Sequence, residues 1–362
     1  MKFRPIIGIV VLIVALVAAQ LILRALGKEY YLTQLTMSLY YAIVVVGLCF
    51  VMGYAGQVSL GHGAFFAIGG YTTAVLTTYD FSRFQAAVLG RWLMQARVFV
   101  VKQDLYGSNV LNVSPWAAFV AAMAATAVAA CLIGYPALRL KGHYLTMATL
   151  GFGLIVYKII LGSTITGTTD GIVGVPEWSF GGVLAISGKS AVRVQNYYIA
   201  CGITLVLIAL LRNLVHSRVG RALRAIHDHE TAANAMGINT ARYKLKAFVV
   251  SALLAAMAGV LLTHYTGGIN PSEASALRSV RYVALAAAGG MTNLWGATVV
   301  STVLNFFSLR GWFGTYDNAV FGAILITIIS LAPEGPFKPL GQLIRRLSGR
   351  WFAGARSEHG AA

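Results

Sequence analysis

Charge is scarce in this 362-residue chain. Only 11% of its residues are Asp, Glu, Lys or Arg, against about 25% in soluble domains, which excludes a soluble globular class. The scarcity is one-sided: 11 acidic residues stand against 28 basic ones, a formal net charge of +17. Glu29, Asp80, Asp104, Asp170, Glu177, Asp228, Glu230, Glu273, Asp317, Glu334 and Glu358 all fall between apolar runs or at their edges. No carboxylate is therefore expected in mid-span. That weighs against a proton-coupled carrier, which would bury one, and no pair of catalytic side chains within the runs suggests an intramembrane enzyme. Cysteine is rare too. Cys49, Cys131 and Cys201 each lie inside an apolar run, so they are expected to be small buried side chains rather than disulfide partners or metal ligands.

What is abundant is apolar sequence, 58% of the chain. It comes in long continuous runs, not the ten-residue alternating segments of a membrane barrel, so the fold class is an all-α integral membrane protein. The basic residues punctuate the ends of these runs instead of forming one patch, which argues for a topology signal and against nucleic-acid binding. The start, "MKFRPIIGIVVLIVALVAAQ", imitates a signal peptide, but its apolar stretch continues to Leu26. An uncleaved first helix is preferred to a cleaved leader.

Candidate spans lie near 5–26, 31–52, 63–79, 115–138, 143–161, 197–212, 246–266 and 318–333, with a longer run at 279–310 interrupted by "GGMTNLW". Charge decides how often that run crosses. Segment 212–246 carries Arg212, Arg218, Arg221, Arg224, Arg242, Lys244 and Lys246, and the tail carries Lys338, Arg345, Arg346, Arg350 and Arg356. Both belong in the cytoplasm by the positive-inside rule. An even number of crossings must separate them, so 279–310 crosses twice, as two short helices meeting at Gly289–Gly290. The expectation is about ten transmembrane helices, some short or broken, with both termini cytoplasmic. This arrangement puts sixteen of the 28 Lys and Arg inside, close to span ends.

Two apparent motifs fail on spacing. "GGVLAISGKS" (181–190) imitates a phosphate loop, but five residues separate Gly182 from Gly188 where four are required, and the segment is expected outside, away from ATP. In "HDHE" (227–230) the histidines are two apart, which points them in different directions on a helix. A solvated polar face is the better reading than a metal site.

"GYAGQVSLGHGAFFAIGGY" (53–71) places six glycines, a glutamine, a serine and a histidine between apolar runs. Small residues let helices approach closely in lipid. Non-helical backbone at membrane depth, however, is tolerated only inside protein or beside a water-filled cavity. Ser59 is a plausible N-cap for a helix starting near Gly63, and a helix N-terminus attracts anions such as an amino acid carboxylate. Gln57, Ser59, Gly61 and His62 are thus candidate pathway residues, with a cytoplasmic-end turn free of substrate contact as the rival placement. Thr292 and Asn293 in "GGMTNLWG" (289–296) form a second candidate element; the plainer alternative is a turn between two helices.

The segment "SRVGRALRAIHDHETAANAMGINTARYKLKAF" opens as a basic helical stretch and is stopped by Gly237. It offers small residues at Ala232, Ala233 and Ala235, which let another protein's backbone approach; the alternative is an amphipathic helix lying on lipid headgroups. Glu230-Thr231-Ala232-Ala233 followed by Gly237 resembles the coupling loop of ABC importer permeases, with Thr231 as an insertion relative to the short form. Together with "LRLKGHYLTMATLGFG", "YKLKAFVVSALLAAMAGVL" and "LAPEGPF", the chain from about 30 to 340 resembles the branched-chain amino acid permeases of the LivM type. The loop at 80–114 is longer than that family leads one to expect.

The resemblance implies a type II ABC importer permease in a bacterial inner membrane, a transport subunit and not an enzyme. Its partners would be a second related permease chain, two ATP-binding subunits carrying ATP and Mg, a periplasmic solute-binding protein and membrane lipid. The chain itself would bind no cofactor and no metal. Residues 1–30 form a first helix, 31–340 the permease domain with its coupling loop at 212–246, and 341–362 a basic cytoplasmic tail. Glu230, Ala232, Ala233, Gly237, Ile238 and Asn239 would contact the ATPase. Asp170 and Glu177, in "TGTTDGIVGVPEW" (166–178), are candidates for binding-protein docking. Branched-chain amino acids, amides and urea are all admissible cargo. An ion-coupled secondary transporter is the alternative from another class, and a structural membrane scaffold a third.

Overall fold

The computed structural model describes residues 4–82, 99–103, 109–138, 144–180, 184–312 and 314–331. Among them, ten helices lie along the nine apolar runs, the run 279–310 being divided between two of them: α1 (Arg4–Ala25), α2 (Tyr31–Ala55), α3 (His62–Thr78), α4 (Pro115–Ala137), α5 (Tyr144–Gly162), α6 (Arg193–His216), α9 (Thr240–Thr266), α10 (Ala276–Gly289), α11 (Leu294–Leu309) and α12 (Asp317–Leu331). Two short helices, α7 (Arg218–Asp228) and α8 (Glu230–Ala235), link α6 to α9. Five helices, α2, α4, α5, α6 with its preceding turn, and α9, are long and apolar enough to cross a membrane. The helices overrun their apolar runs: α6 continues to His216 and α9 already begins at Thr240, so Arg212, Arg242, Lys244 and Lys246 lie on helical turns. Hydropathy marks the edge of the hydrocarbon, whereas i→i−4 bonding continues past it.

α2 is the central post, buried along most of its length and packed by α6, α9 and α11. Close approach is made with small residues, as expected where packing rather than hydrophobicity drives association. A methyl group at Gly69 of α3 would overlap the Ala256 backbone of α9, and one at Gly259 would overlap the Phe66 carbonyl. On α4 the buried positions are Ala118, Ala122, Thr126, Ala130, Gly134 and Ala137, a stripe of small side chains at helical spacing turned toward α3 and α9. The opposite stripe, Val120, Val128 and Leu132, is 64–70% exposed. Ile155 and Ile159 of α5, Val206 and Leu210 of α6 and Ile326 of α12 are likewise turned outward. An apolar exterior around a small-residue interior is a lipid-facing surface. Cys131 belongs to it: it is exposed, while Cys49 and Cys201 are buried as expected. The hydropathy of an all-apolar helix does not reveal which side faces lipid.

α1 docks on α6 through its backbone and one side chain: Tyr197 Oη donates to Leu16 O (3.0 Å) and Tyr198 Oη to Gln20 Oε1 (3.2 Å).

Three two-stranded antiparallel ribbons depart from the all-α expectation: β1 (Phe99–Gln103) with β2 (Asn109–Val113), β3 (Ile172–Val173) with β6 (Gly268–Ile269), and β4 (Trp178–Phe180) with β5 (Leu184–Ile186). All lie in connections between helices, where backbone groups freed from helices pair with each other. β1–β2 is the described part of the long 80–114 loop. β5 occupies the middle of the false phosphate loop, so Leu184–Ile186 is extended strand; Gly182 lies outside the described residues. The basic tail from 332 onward also lies outside them.

Candidate functional site

α2 ends at Ala55, where Gly56 takes the left-handed conformation (φ 65°) and returns its N–H to Val51 O. Residues 57–61 are not helical, and α3 starts at His62. The two ends of this segment lie at different depths in the helix packing. A Cβ on Gly56 would stand 2.8 Å from His227 Nδ1 on α7, whereas His62 reaches Ser251, the twelfth residue along α9, and Gly63 N donates to Ser279 Oγ (3.0 Å) on α10. The chain therefore climbs into the bundle before α3 begins, which explains why α3 has only 17 residues, about 25 Å. α5 covers the climb: Leu60 N donates to Thr149 Oγ1 (3.0 Å), and Thr146 Oγ1 donates to Val58 O (3.1 Å).

Ser59 does not cap α3. The N-cap is Gly61, without a side-chain bond. Ser59 Oγ accepts from Gly61 N (3.4 Å) and meets His62 Nδ1 (3.2 Å), while His62 Nε2 meets Ser251 Oγ (2.7 Å). The fully buried His62 thus ties the climbing segment to α9 and has both nitrogens engaged. Gly61 is held tightly too, since a methyl there would stand 3.0 Å from Thr149 O. Gln57 differs: it is buried, yet neither its Oε1 nor its Nε2 has a partner among the described residues. Of the four candidates, it alone keeps unused hydrogen-bonding capacity.

The second break, 290–293, is a turn seated on the end of α2. Cys49 Sγ donates to Met291 O (2.9 Å), Tyr54 Oη donates to Thr292 O (2.6 Å), and any side chain on Gly53 would overlap the Met291 carbonyl. Asn293 uses its Oδ1 to cap α11, accepting from Gly296 N (3.1 Å). Both breaks therefore meet at the C-terminal end of α2, with Thr292 exposed and Asn293 committed to the turn.

On that same end, α7 buries Gly220, Leu223 and Ile226 and leaves Arg221, His227 and Asp228 outside. The helix stops at His229, and α8 runs from Glu230 to Ala235. Gly237 (φ 82°) ends α8: Ile238 N donates to Ala233 O (3.1 Å) and Gly237 N to Asn234 O (3.0 Å), a Schellman closure. Asn239 caps α9 through Arg242 N (3.1 Å), and Glu230 pairs with Lys244 of α9 at 2.6 Å. Of the expected contact residues, Ala233 faces inward at 4% exposure, and Glu230 and Asn239 are bound within the chain. The outward surface includes Thr231, Ala232, Asn234, Ala235, Gly237 and Met236, the last 83% exposed. Sequence reasoning missed Met236; an apolar residue immediately before a helix-stopping glycine was its signal.

At the opposite end, Asp170 is exposed, while Glu177 is joined to Lys189 at 2.5 Å. The β3–β6 ribbon ties this loop to the segment after α9, and His264 Nδ1 donates to Pro176 O at 2.7 Å. That polar contact fixes the tautomer with Nδ1 as donor.

A further polar cluster had no counterpart in the sequence reading. Glu273 lies in a loop by sequence, yet it is only 9% exposed. Its Oε1 accepts from Tyr41 Oη (2.9 Å) and Arg278 Nη2 (3.0 Å). Tyr41 is the eleventh residue of α2, about 15 Å along it. Beside this pair, Arg281 meets Asp317 at 3.5 Å. The loop after α9 folds back into the bundle, so a carboxylate remote from any apolar run is nonetheless buried.

The branched-chain amino acid transport system permease component family matches residues 30–329. The chain is similar to the high-affinity branched-chain amino acid transport system permease protein LivM of Salmonella typhimurium, 30% identical over 83% of this chain and 68% of the relative. It is also similar to LivH of Escherichia coli and BraD of Pseudomonas aeruginosa, permease proteins named for the same kind of system, each 25% identical over 84% of this chain and 95% of the relative. No solved structure matches significantly.

Proposed function

The chain belongs to the branched-chain amino acid transport permease family, and from that premise we propose that it is the membrane subunit of an ATP-driven importer for branched-chain amino acids or related small molecules. The observation that carries this reading is the family match over residues 30–329, joined to a polar knuckle at 217–240 that presents Met236 outward. ATP and Mg would be held by two separate ATP-binding subunits. Closure of that pair would push on α7–α8, and the Glu230–Lys244 ion pair and the Asn239 cap would pass the displacement into α9. A second permease chain and an external binding protein complete the assembly, the latter docking near Asp170 and Glu177.

The ten-crossing topology with both ends inside is supported by internal consistency. The breaks at 56–61 and 290–293 and the α7–α8 knuckle share one end of the bundle, while β3–β6 joins two loops assigned to the other. Gln57, Ser59, Gly61, His62, Thr292 and Asn293 would then border the inner part of the pathway. Glu273 gives some support to an ion-coupled carrier, since its carboxylate is buried, but Arg278 already balances its charge.

Proteoliposomes holding the chain with its partner subunits test the reading. Uptake should require ATP, and Glu230→Lys combined with Gly237→Pro should abolish both ATPase association and uptake, because a lysine would face Lys244 and Pro cannot adopt the positive φ. Uptake on an ion gradient without any ATPase would overturn it.

A further inference from the structure

Only one oxygen of the Glu273 carboxylate is used. Oε1 takes both protein donors, Tyr41 Oη and Arg278 Nη2, whereas Oε2 is buried and has no partner among the described residues. The neighbouring cation Arg281 is directed to Asp317 and stacks on the Phe321 ring at 3.9 Å. A buried carboxylate oxygen is an acceptor only, and leaving it unmatched is costly. It therefore has capacity for one more donor.

Glu273 lines a cavity of about 240 Å³ whose other walls include Tyr41, Met37, Leu262 and Ile269. Val173, on the β3–β6 ribbon, stands at its rim and is 79% exposed, so the cavity opens toward the end opposite the α7–α8 knuckle. The space is below the roughly 300 Å³ at which pockets for drug-sized ligands begin. An anion is excluded by the carboxylate. A divalent metal ion would need about six oxygen ligands, commonly with more than one carboxylate; besides Glu273 the walls offer only the neutral oxygens of Tyr41, Thr263, Thr266, Asn270 and the backbone, a single charge in all. A primary ammonium on a short branched hydrocarbon matches both halves of the cavity.

We propose that this cavity is an ammonium subsite, in which Glu273 Oε2 accepts the α-ammonium of an aliphatic amino acid while Met37, Leu262 and Ile269 take its side chain. Tyr41 and Arg278 hold the carboxylate by the other oxygen and so leave Oε2 unengaged. The subsite rests on the importer reading for the identity of its cargo, but its binding chemistry is independent of any ATPase.

The test uses the full chain in lipid nanodiscs and saturation-transfer NMR, with L-leucine, isoamylamine (ammonium without carboxylate) and isocaproate (carboxylate without ammonium) as probes. Leucine and isoamylamine should receive saturation, and isocaproate less than about a tenth as much. Glu273→Gln, which presents an N–H donor in place of an acceptor, should reduce the leucine signal about tenfold. Leu262→Phe should do the same by filling the cavity while leaving the carboxylate intact, which covers the case in which Glu273→Gln fails to fold. Equal signals from all three probes, or an unchanged signal in either folded variant, would overturn the proposal. So would displacement of leucine by sodium chloride at equal concentration, which would reassign the oxygen to a metal cation. ATP-driven uptake without Glu273-dependent binding would remove this subsite and leave the importer reading standing. Glu273-dependent binding without ATP-driven uptake would do the reverse.

Discussion

His62 and Ser251, 189 residues apart in the chain, meet through Nε2 and Oγ at 2.7 Å in the middle of the bundle. This contact fixes the height at which the climb out of α2 ends and α3 begins. With Ser59 Oγ on the other nitrogen, the imidazole is a buried tie between two elements and not a catalytic base.

Ser251→Ala leaves one buried imidazole nitrogen without its partner, which costs about 1–3 kcal/mol. Thermal unfolding of the purified protein in detergent should show a lowered midpoint. An unchanged midpoint would mean that the contact does not hold the two elements together.

The two glycines Gly53 and Gly151 should behave oppositely on replacement by alanine. A methyl at Gly53 runs into the Met291 carbonyl, while one at Gly151 meets nothing within 4 Å. Gly53→Ala is expected to destabilise by about 1–3 kcal/mol through overpacking. Gly151→Ala, within helix α5, should be neutral or stabilising by about 0.5–1 kcal/mol because the unfolded chain loses freedom. Denaturation of the two variants side by side decides whether α2 and the 290–293 turn touch as described.

Met236→Asp alters an exposed side chain and should leave stability within about 0.5 kcal/mol. If the α7–α8 knuckle seats in an ATPase groove, the same change should weaken co-purification of the ATPase and lower ATP-driven uptake at least tenfold. Full uptake in a folded Met236→Asp protein would move the motor contact elsewhere.

Sidedness is open to direct measurement. With Cys49, Cys131 and Cys201 replaced, a single cysteine at Val173 should react with a membrane-impermeant maleimide added to intact cells, and one at Met236 only after permeabilisation. The reverse pattern would invert the topology and place the knuckle out of reach of ATP.

The helices were legible because the apolar runs are long and, in lipid, little else but a helix is allowed there. The knuckle was legible for a different reason. Gly237 ends α8 by local backbone chemistry that needs no tertiary partner, and the structure finds it at φ 82°. Ser59 was misjudged because a serine shortly before Gly63 fits a cap, whereas the climb through the bundle moves the cap to Gly61 and turns the serine toward His62. Cys131 was misjudged because every face of α4 is apolar, so composition could not say which one meets lipid.

Sequence by itself determined the solvent: too few charges for water, runs long enough for a bilayer, and basic residues placed at the run ends. It also determined the local stops and caps, since these depend on residues within one helical turn. Tertiary structure alone decided depth. It carried 57–61 up into the bundle, folded the loop after α9 back inward, and so buried Glu273 against Tyr41. Depth is a property of how helices stack, and stacking is set by contacts between residues hundreds of positions apart, which no run of hydropathy encodes.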